Sequence, residues 1–422
     1  MKNIRKFLFF VIVLLVCFAS RKSSAQNDYS IDSIIQLNTY TFKIVNNEII
    51  GNGKDFLQRE AENSQFFMIG ELHGNKETPE FTSAILNLLK PKGYNNFAVE
   101  IGPFSKKKLL SIIKQKNGID SLSNFYKKYN PDDLTNPIPF FDGVDEVRML
   151  EIAITNAYNI WGIDQEFVYA APFLFDDIFK TKKLKNNSKN NSKGYEKIYK
   201  EARASLLKHL TTKSKSKFNL LLKDKHILEF ISESKGVDNE VTTLLTELEK
   251  SWKIYAYGNG PTKQYFESNN SRAIMMKHYF FDYYKKALSK EPNPKMILKM
   301  GSMHTVYGKN PLAIYDIGNT LYELSILNNS KSFNLALAGR YYIRSSGEKI
   351  DRLKYVPEYK KLFKHQEENL WTLLDLRPLK KAIYNGKIKV DDKKFKKLLY
   401  RYDSVLMKTL TAATEDIRDY KN

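Results

Sequence analysis

Residues 66–77, "FFMIGELHGNKE", run through a short apolar stretch and change character within two positions: Glu71 and His73 follow the run, with Gly70 and Gly74 beside them. A continuous apolar segment of this length, bounded by glycine, reads as a strand buried on both faces, as in a parallel sheet. After it, Thr78 caps a helix with Pro79 at its first position and Glu80 in its first turn, and Phe81, Ile85, Leu88 and Leu89 give that helix one apolar face. "PKG" stops the helix and "NNFAVEIG" supplies the next strand. Strand, helix, strand at this spacing is a parallel crossover unit. The stretch therefore predicts an α/β fold, a three-layer sandwich around a mostly parallel sheet.

Working outward, residues 27–64 read as a strand or hairpin followed by a helix, 105–135 as amphipathic helix, and 144–158 as a helix with Val147, Leu150 and Ile154 on one side. "NIWGIDQE" is a third strand and "PKMILKMGSMHT" a fourth. "YELSIL", "FNLALAG" and "WTLLDLRPLK" are expected as later strands, and the tail from 392 as mostly helical. Between the third and fourth strands the composition turns helical and Lys-rich, which marks a helical insertion or lid. Within it "KNNSKNNSKG" is polar and of low complexity, and 184–194 is predicted to be a mobile, exposed loop. The resulting division is 1–25 as signal peptide, 26–171 as the first half of the α/β domain, 172–290 as the insertion, and 291–422 as the second half with a helical tail.

The 422 residues are 42% hydrophobic, ample for a large core. Lys2, Arg5 and Lys6 precede the apolar run Phe7 to Ala19, and Ser23-Ser24-Ala25 offers small residues for cleavage. This is the three-part pattern of a secretory signal, too short to span a bilayer comfortably. Cleavage after Ala25 would remove five basic residues and lower the net charge from +21 to +16. The remaining excess is scattered lysine, with no Arg-rich or aromatic-interleaved basic motif, so nucleic acid is not an expected partner. Cys17 is the sole cysteine and lies within the signal, so the mature chain has no disulfide, thiol nucleophile or Cys-ligated metal. A membrane association is expected only if Cys17 is lipidated, and Val16 stands before it where that modification favours a small residue. The expected address is exported, periplasmic or extracellular.

Four strands end in the same way. The first ends in Glu71 and His73, the second in Glu100, the third in Asp164 and the fourth in His304. Taken singly, Glu100 or Asp164 serves equally as a helix cap, and His304 as a satisfied core histidine. Ligands of open parallel sheets bind at the carboxyl ends of the strands. Three carboxylates and two imidazoles converging there cost stability unless they pair or do chemistry. The chain has no G-x-S-x-G elbow, H-E-x-x-H, phosphate loop or G-x-G-x-x-G.

"GELHG", a strand ending in Glu, "GID", an Arg with Met shortly after it in "NNSRAIMMKHY", and a strand ending in His together resemble the erythromycin esterase-like superfamily, with its ChaN-type haem-binding lipoproteins and Tiki/TraB proteins. Gly70-Glu71-Leu72-His73 and Gly301-Ser302-Met303-His304 also resemble the paired G-x-x-H motifs of the Tiki/TraB branch. The resemblance covers roughly residues 64–172 and 265–320 and extends to "LLDLRPL" and "YDSVLMKTLTAAT"; the Lys/Asn-rich insertion has no counterpart in it. It implies a hydrolase that cuts an ester or related bond in a small-molecule or peptide substrate, in which His73 is the general base for water. Glu71 and Glu100 would orient His73, His304 would donate to the oxyanion or leaving group, and Arg272 would neutralise the carboxylates or clamp substrate. Asp164 is the least defined of the set. Two alternatives follow from the same resemblance: a metal-dependent peptidase with a divalent ion on His73, His304 and Glu71, and a haem- or iron-binding protein without catalysis.

Overall fold

The computed structural model describes residues 30–130, 135–185, 189–214, 216–259 and 263–420, and the expected signal peptide lies outside them. Among the described residues ten strands form one sheet: β1 Thr39–Val45, β2 Glu48–Ile50, β3 Phe66–Glu71, β4 Tyr94–Val99, β5 Asn159–Gly162, β6 Lys295–Gly301, β7 Ser332–Ile343, β8 Lys349–Asp351, β9 Trp371–Asp375 and β10 Ser404–Ala412. Their order is β2-β1-β9-β10-β7-β3-β6-β4-β5, with β8 paired to β7. From β10 to β5 each neighbouring pair is parallel. The pairs β1–β2, β1–β9, β9–β10 and β7–β8 are antiparallel. The mostly parallel α/β sandwich expected from the opening stretch is the architecture found.

Strand alternation sorts the side chains into two layers of core. Phe67, Ile69, Phe97, Val99 and Ile297 pack with Ile85 and Leu89 of helix Glu77–Leu89 and Leu150 of helix Val144–Thr155. Their neighbours Phe66, Met68, Ala98 and Leu298 face Met276, Phe280 and Tyr284 of helix Tyr265–Leu288. A third cluster joins Ala336, Leu374, Val405 and Met407 to Leu379, Leu398 and Leu399. Each fully buried side chain of this size contributes about 1.5–3 kcal/mol.

Several local expectations are corrected. Helix Glu77–Leu89 begins earlier than expected, so Thr78 lies in its first turn and does not cap it; Asn75 Oδ1 accepts from the Thr78 N–H instead. "YELSIL" is helical, within Ile317–Leu327, because Ile317 and Leu321 lie one turn apart against Phe66 and Met68, and Asp316 accepts the Ile317 N–H at the start. The six quoted residues are too few to show that period. "WTLLDLRPLK" is a strand only to Asp375 and then enters helix Arg377–Tyr384. The tail is helical over Lys393–Arg401, but β10 follows and lies inside the sheet between β7 and β9. Tyr402 and Asp403 make the break, with the Asp403 carboxylate accepting the Asn334 N–H and the Tyr307 hydroxyl.

In the stretch read as a mobile loop, residues 186–188 lie outside the described ones. The backbone from Lys189 is already part of helix Lys189–Thr211. Tyr195, Ala202, Leu206 and Leu210 form the buried stripe that holds this helix down, and the polar tract extends it at its start. Helix Tyr265–Leu288, the last of the expected insertion, packs directly on the sheet and carries Arg272 to the strand ends.

Candidate active site

Strands β3, β6, β4 and β5 are parallel neighbours, so their carboxyl ends share one edge. Glu71 closes β3, Glu100 follows β4, Asp164 follows β5, and His304 sits in the turn Ser302–Thr305 after β6. The structure brings all six expected residues together around Glu100. His73 lies with Nδ1 3.2 Å from Glu71 Oε1 and Nε2 3.7 Å from Glu100 Oε2. Arg272 donates from Nη2 to Glu100 Oε1 at 2.8 Å, and from Nε and Nη2 to the two oxygens of Asp164 at 2.9 and 2.5 Å. Asp164 thus acquires a definite place, holding Arg272 square to Glu100. His304 Nε2 lies 3.4 Å from Glu100 Oε1. Its other nitrogen, Nδ1, is 2.8 Å from Asp316 Oδ2. Both ring nitrogens therefore face carboxylates, and His304 is placed to balance charge; it presents no free N–H to an oxyanion.

Sequence reasoning missed three residues here. Lys299 on β6 is 3% exposed and lies 2.7 Å from Glu71 Oε2. Register explains the pairing: Lys299 stands beside Ile69, two positions before Glu71 on the same face. Its signal was a single charge inside the apolar run "MILKMG". Asp316 reaches His304 from beyond a loop and left no local mark. Phe140 stacks on His73, ring centroids 3.9 Å apart and planes at 17°. Its φ of +64° is strained for a bulky side chain. Its loop is pinned by the Tyr126 hydroxyl on the Ile138 and Phe141 carbonyls, and by the chain end, where Ile417 N donates to the Asp142 carbonyl.

Gly301, which opens the second G-x-x-H motif, gains a place of its own. Its N–H donates to Glu100 Oε2 at 2.6 Å, and a Cβ there would stand 2.9 Å from His73 Nε2 and 3.3 Å from Glu100 Oε2. Gly301→Ala is expected to push His73 out of place and lower any His73-dependent rate on the order of 100-fold. The melting temperature should change little; an unchanged rate in steady-state assays would show that His73 tolerates the shift.

The charges explain why this cluster can be buried. Burial opposes the ionised forms of Glu71 and Glu100. Lys299 and His73 outweigh it at Glu71, and His304, Arg272 and His73 outweigh it at Glu100, so both carboxyls are held below the ordinary range, Glu100 well below. Burial likewise works against the His304 cation, but Glu100 and Asp316 raise its pKa to about 10. Four carboxylates, Glu71, Glu100, Asp164 and Asp316, face three cations, Lys299, Arg272 and His304.

His304 also sets a pH dependence. Its folded pKa is raised above the unfolded value of about 6.5, so its contribution is whole below that pH and is lost as pH rises toward about 10. The stability gap between wild type and His304→Gln, measured by denaturant unfolding, should narrow across that window. A gap constant from pH 6 to 10 would contradict the assigned charge.

For a metal, the expected set of His73, His304 and Glu71 is not the one the geometry draws together. Among the described residues, donor atoms of Glu71, His73 and Glu100 lie within 4.8 Å of one another, and Glu71 Oε1 faces His73 Nδ1 at 3.2 Å. Lys299 and Arg272 already occupy the other oxygens of these carboxylates.

A mostly parallel sheet with helices packed against it makes this an α/β protein, of the fold seen in an erythromycin esterase. Three solved structures share it. A Bacillus cereus protein aligns at 17% identity and TM-score 0.54, over 92% of this chain and 99% of that one. A succinoglycan biosynthesis protein aligns at 16% and 0.53, over 93% and 99%. A mutant of the erythromycin esterase EreC in its open conformation aligns at 12% and 0.54, over 90% and 99%. No family model and no curated protein matches the chain.

Proposed function

We propose that the protein is a hydrolase that cleaves an ester or related bond in a small molecule, with His73 as general base for the attacking water. One observation carries this reading: an imidazole 37% exposed stands between two carboxylates that are each about 4% exposed, at the carboxyl edge of one parallel sheet. When His73 takes the proton of the attacking water, Glu71 and Glu100 stabilise the imidazolium and fix its orientation. Arg272 and Lys299 keep those carboxylates ionised in the interior. The fold shared with an erythromycin esterase supports the class of reaction, and a macrolide substrate does not follow from it.

The second reading, a divalent ion on Glu71, His73 and Glu100, is favoured by the proximity of their donor atoms. Bound there, the ion would polarise substrate or lower the pKa of water. Lys299 on Glu71 Oε2 and Arg272 on Glu100 Oε1 already occupy one oxygen of each carboxylate, which favours water alone. Hydrolysis of p-nitrophenyl esters before and after chelation separates the two: an unchanged rate is expected, and loss restored by added zinc or manganese would establish the metal reading. A Soret band on haem addition, with no ester hydrolysis, would place the protein with the haem binders instead.

A further inference from the structure

We propose that the cavity between loop 307–313 and helix Lys393–Arg401 is a binding site for an oligophosphate, a compound carrying two or more linked phosphate groups. The cavity is about 650 Å³, within the range of small-ligand sites, and shares no residue with the ion cluster. Five cations line it, Lys309, Lys393, Lys396, Lys397 and Arg401, and no carboxylate does. The four lysines are exposed and Arg401 is half-buried, so a ligand can reach them. Among the described residues none of the five forms an ion pair with a carboxylate. Lysine is common over the whole surface, but other cavities match it with acid. In the one beside Leu174 and Ile178, Lys107 pairs with Glu240 and Lys108 with Asp177, all four in the same lining.

Both banks are fixed by the fold. Phe395, Leu398 and Leu399 are buried, which turns Lys393, Lys396, Lys397 and Arg401 onto the opposite face of the helix. The Asp392 carboxylate accepts the Lys394 and Phe395 N–H groups at its start. On the loop, Asn310 is buried and its Oδ1 accepts the Leu312 and Ile314 N–H groups, while the Tyr307 N–H donates to the Arg401 carbonyl. Lys309 is held 5.5 Å from the centre of the Tyr315 ring. Like charges three and four residues apart on a helix repel, so this face costs the free protein stability that a bound anion restores. A phosphate monoester carries about −1.5 to −2 charges at neutral pH, so two or three phosphate groups match five cations where a tricarboxylate falls short. Four of the five are lysines, point charges that suit phosphate, and the guanidinium fork that favours a planar carboxylate occurs once. The apolar residues of the helix are turned into the protein, so it has no apolar face to lay into a bilayer.

This site stands apart from the hydrolase reading, and its test is binding. The full chain is titrated calorimetrically, in buffer free of divalent ions, with inorganic triphosphate, ATP, citrate and sulfate, and separately with phosphatidylglycerol vesicles. Triphosphate should bind more tightly than citrate or sulfate. Equal binding of ATP places recognition in the phosphates alone, and tighter binding of ATP adds the nucleoside to the ligand. The double variant Lys396→Gln, Lys397→Gln should weaken triphosphate binding about tenfold or more. Without ligand it should melt no lower than wild type, because it relieves repulsion. Lys107→Gln with Lys108→Gln removes the same charge from the paired cavity and should bind triphosphate as wild type does. No binding of triphosphate, citrate binding as tightly, equal losses in the two double variants, or binding confined to the vesicles overturns the proposal.

Discussion

His73→Ala is expected to lower ester hydrolysis by about 100- to 10,000-fold, the usual worth of a positioned proton transfer. It should destabilise the fold by no more than about 1 kcal/mol. The two halves of this expectation have separate origins. His73 is the solvent-facing member of the cluster, and its removal deletes one stacking contact with Phe140 and no buried charge pair of the Lys299 or Arg272 kind. The loss should therefore fall on kcat, with KM nearly unchanged, because the residue acts on the proton of the attacking water. Glu100→Gln should approach the same loss, since an amide cannot stabilise an imidazolium, and should also cost stability by leaving Arg272 and His304 short of a partner. A well-folded His73→Ala protein with full activity on its true substrate would dispose of both the water-only and the metal mechanism.

The strand ends were legible because they follow from a local rule: an apolar run that stops in an acid or imidazole, repeated four times, can be read without knowing the pairing. The topology then made neighbours of β3, β6, β4 and β5, and the six residues met. What stayed hidden depends on distant partners. Lys299 looks like an anomaly in a strand until the register sets it beside Ile69 and under Glu71. Asp316 and His304 are joined by a loop whose path has no local signature. Phe140 stacks on His73 because the chain end clamps its loop. The strand β10 was hidden for a compositional reason: "SVLMKTLTA" follows a Lys-rich helix with only Tyr402 and Asp403 between them. A buried strand and a buried helical turn look alike over so few residues.

Arg272 is where the largest loss of stability is expected. Its guanidinium, raised well above its ordinary pKa because Asp164 and Glu100 more than offset its burial, is the cation that two buried carboxylates share. Arg272→Met keeps much of the side-chain volume and removes the charge, so Asp164 and Glu100 are left ionised and buried without it. Breaking such a pair from one side costs about 3–5 kcal/mol, measured here as unfolding free energy in urea at pH 7. The loss should ease as the pH falls and the orphaned carboxyls protonate, which a loss of packing alone would not do. Arg272→Lys should recover part of the stability and little of the activity, because an ammonium is a point charge and cannot hold Asp164 side-on while reaching Glu100. The double variant Arg272→Met, Asp164→Leu should be more stable than Arg272→Met alone, since it removes an orphaned charge instead of adding a defect, and Glu100 still faces His304. Additive losses in that cycle would mean that the Arg272–Asp164 contact carries no coupling, and the account of how this cluster stays charged in the interior would fail with it.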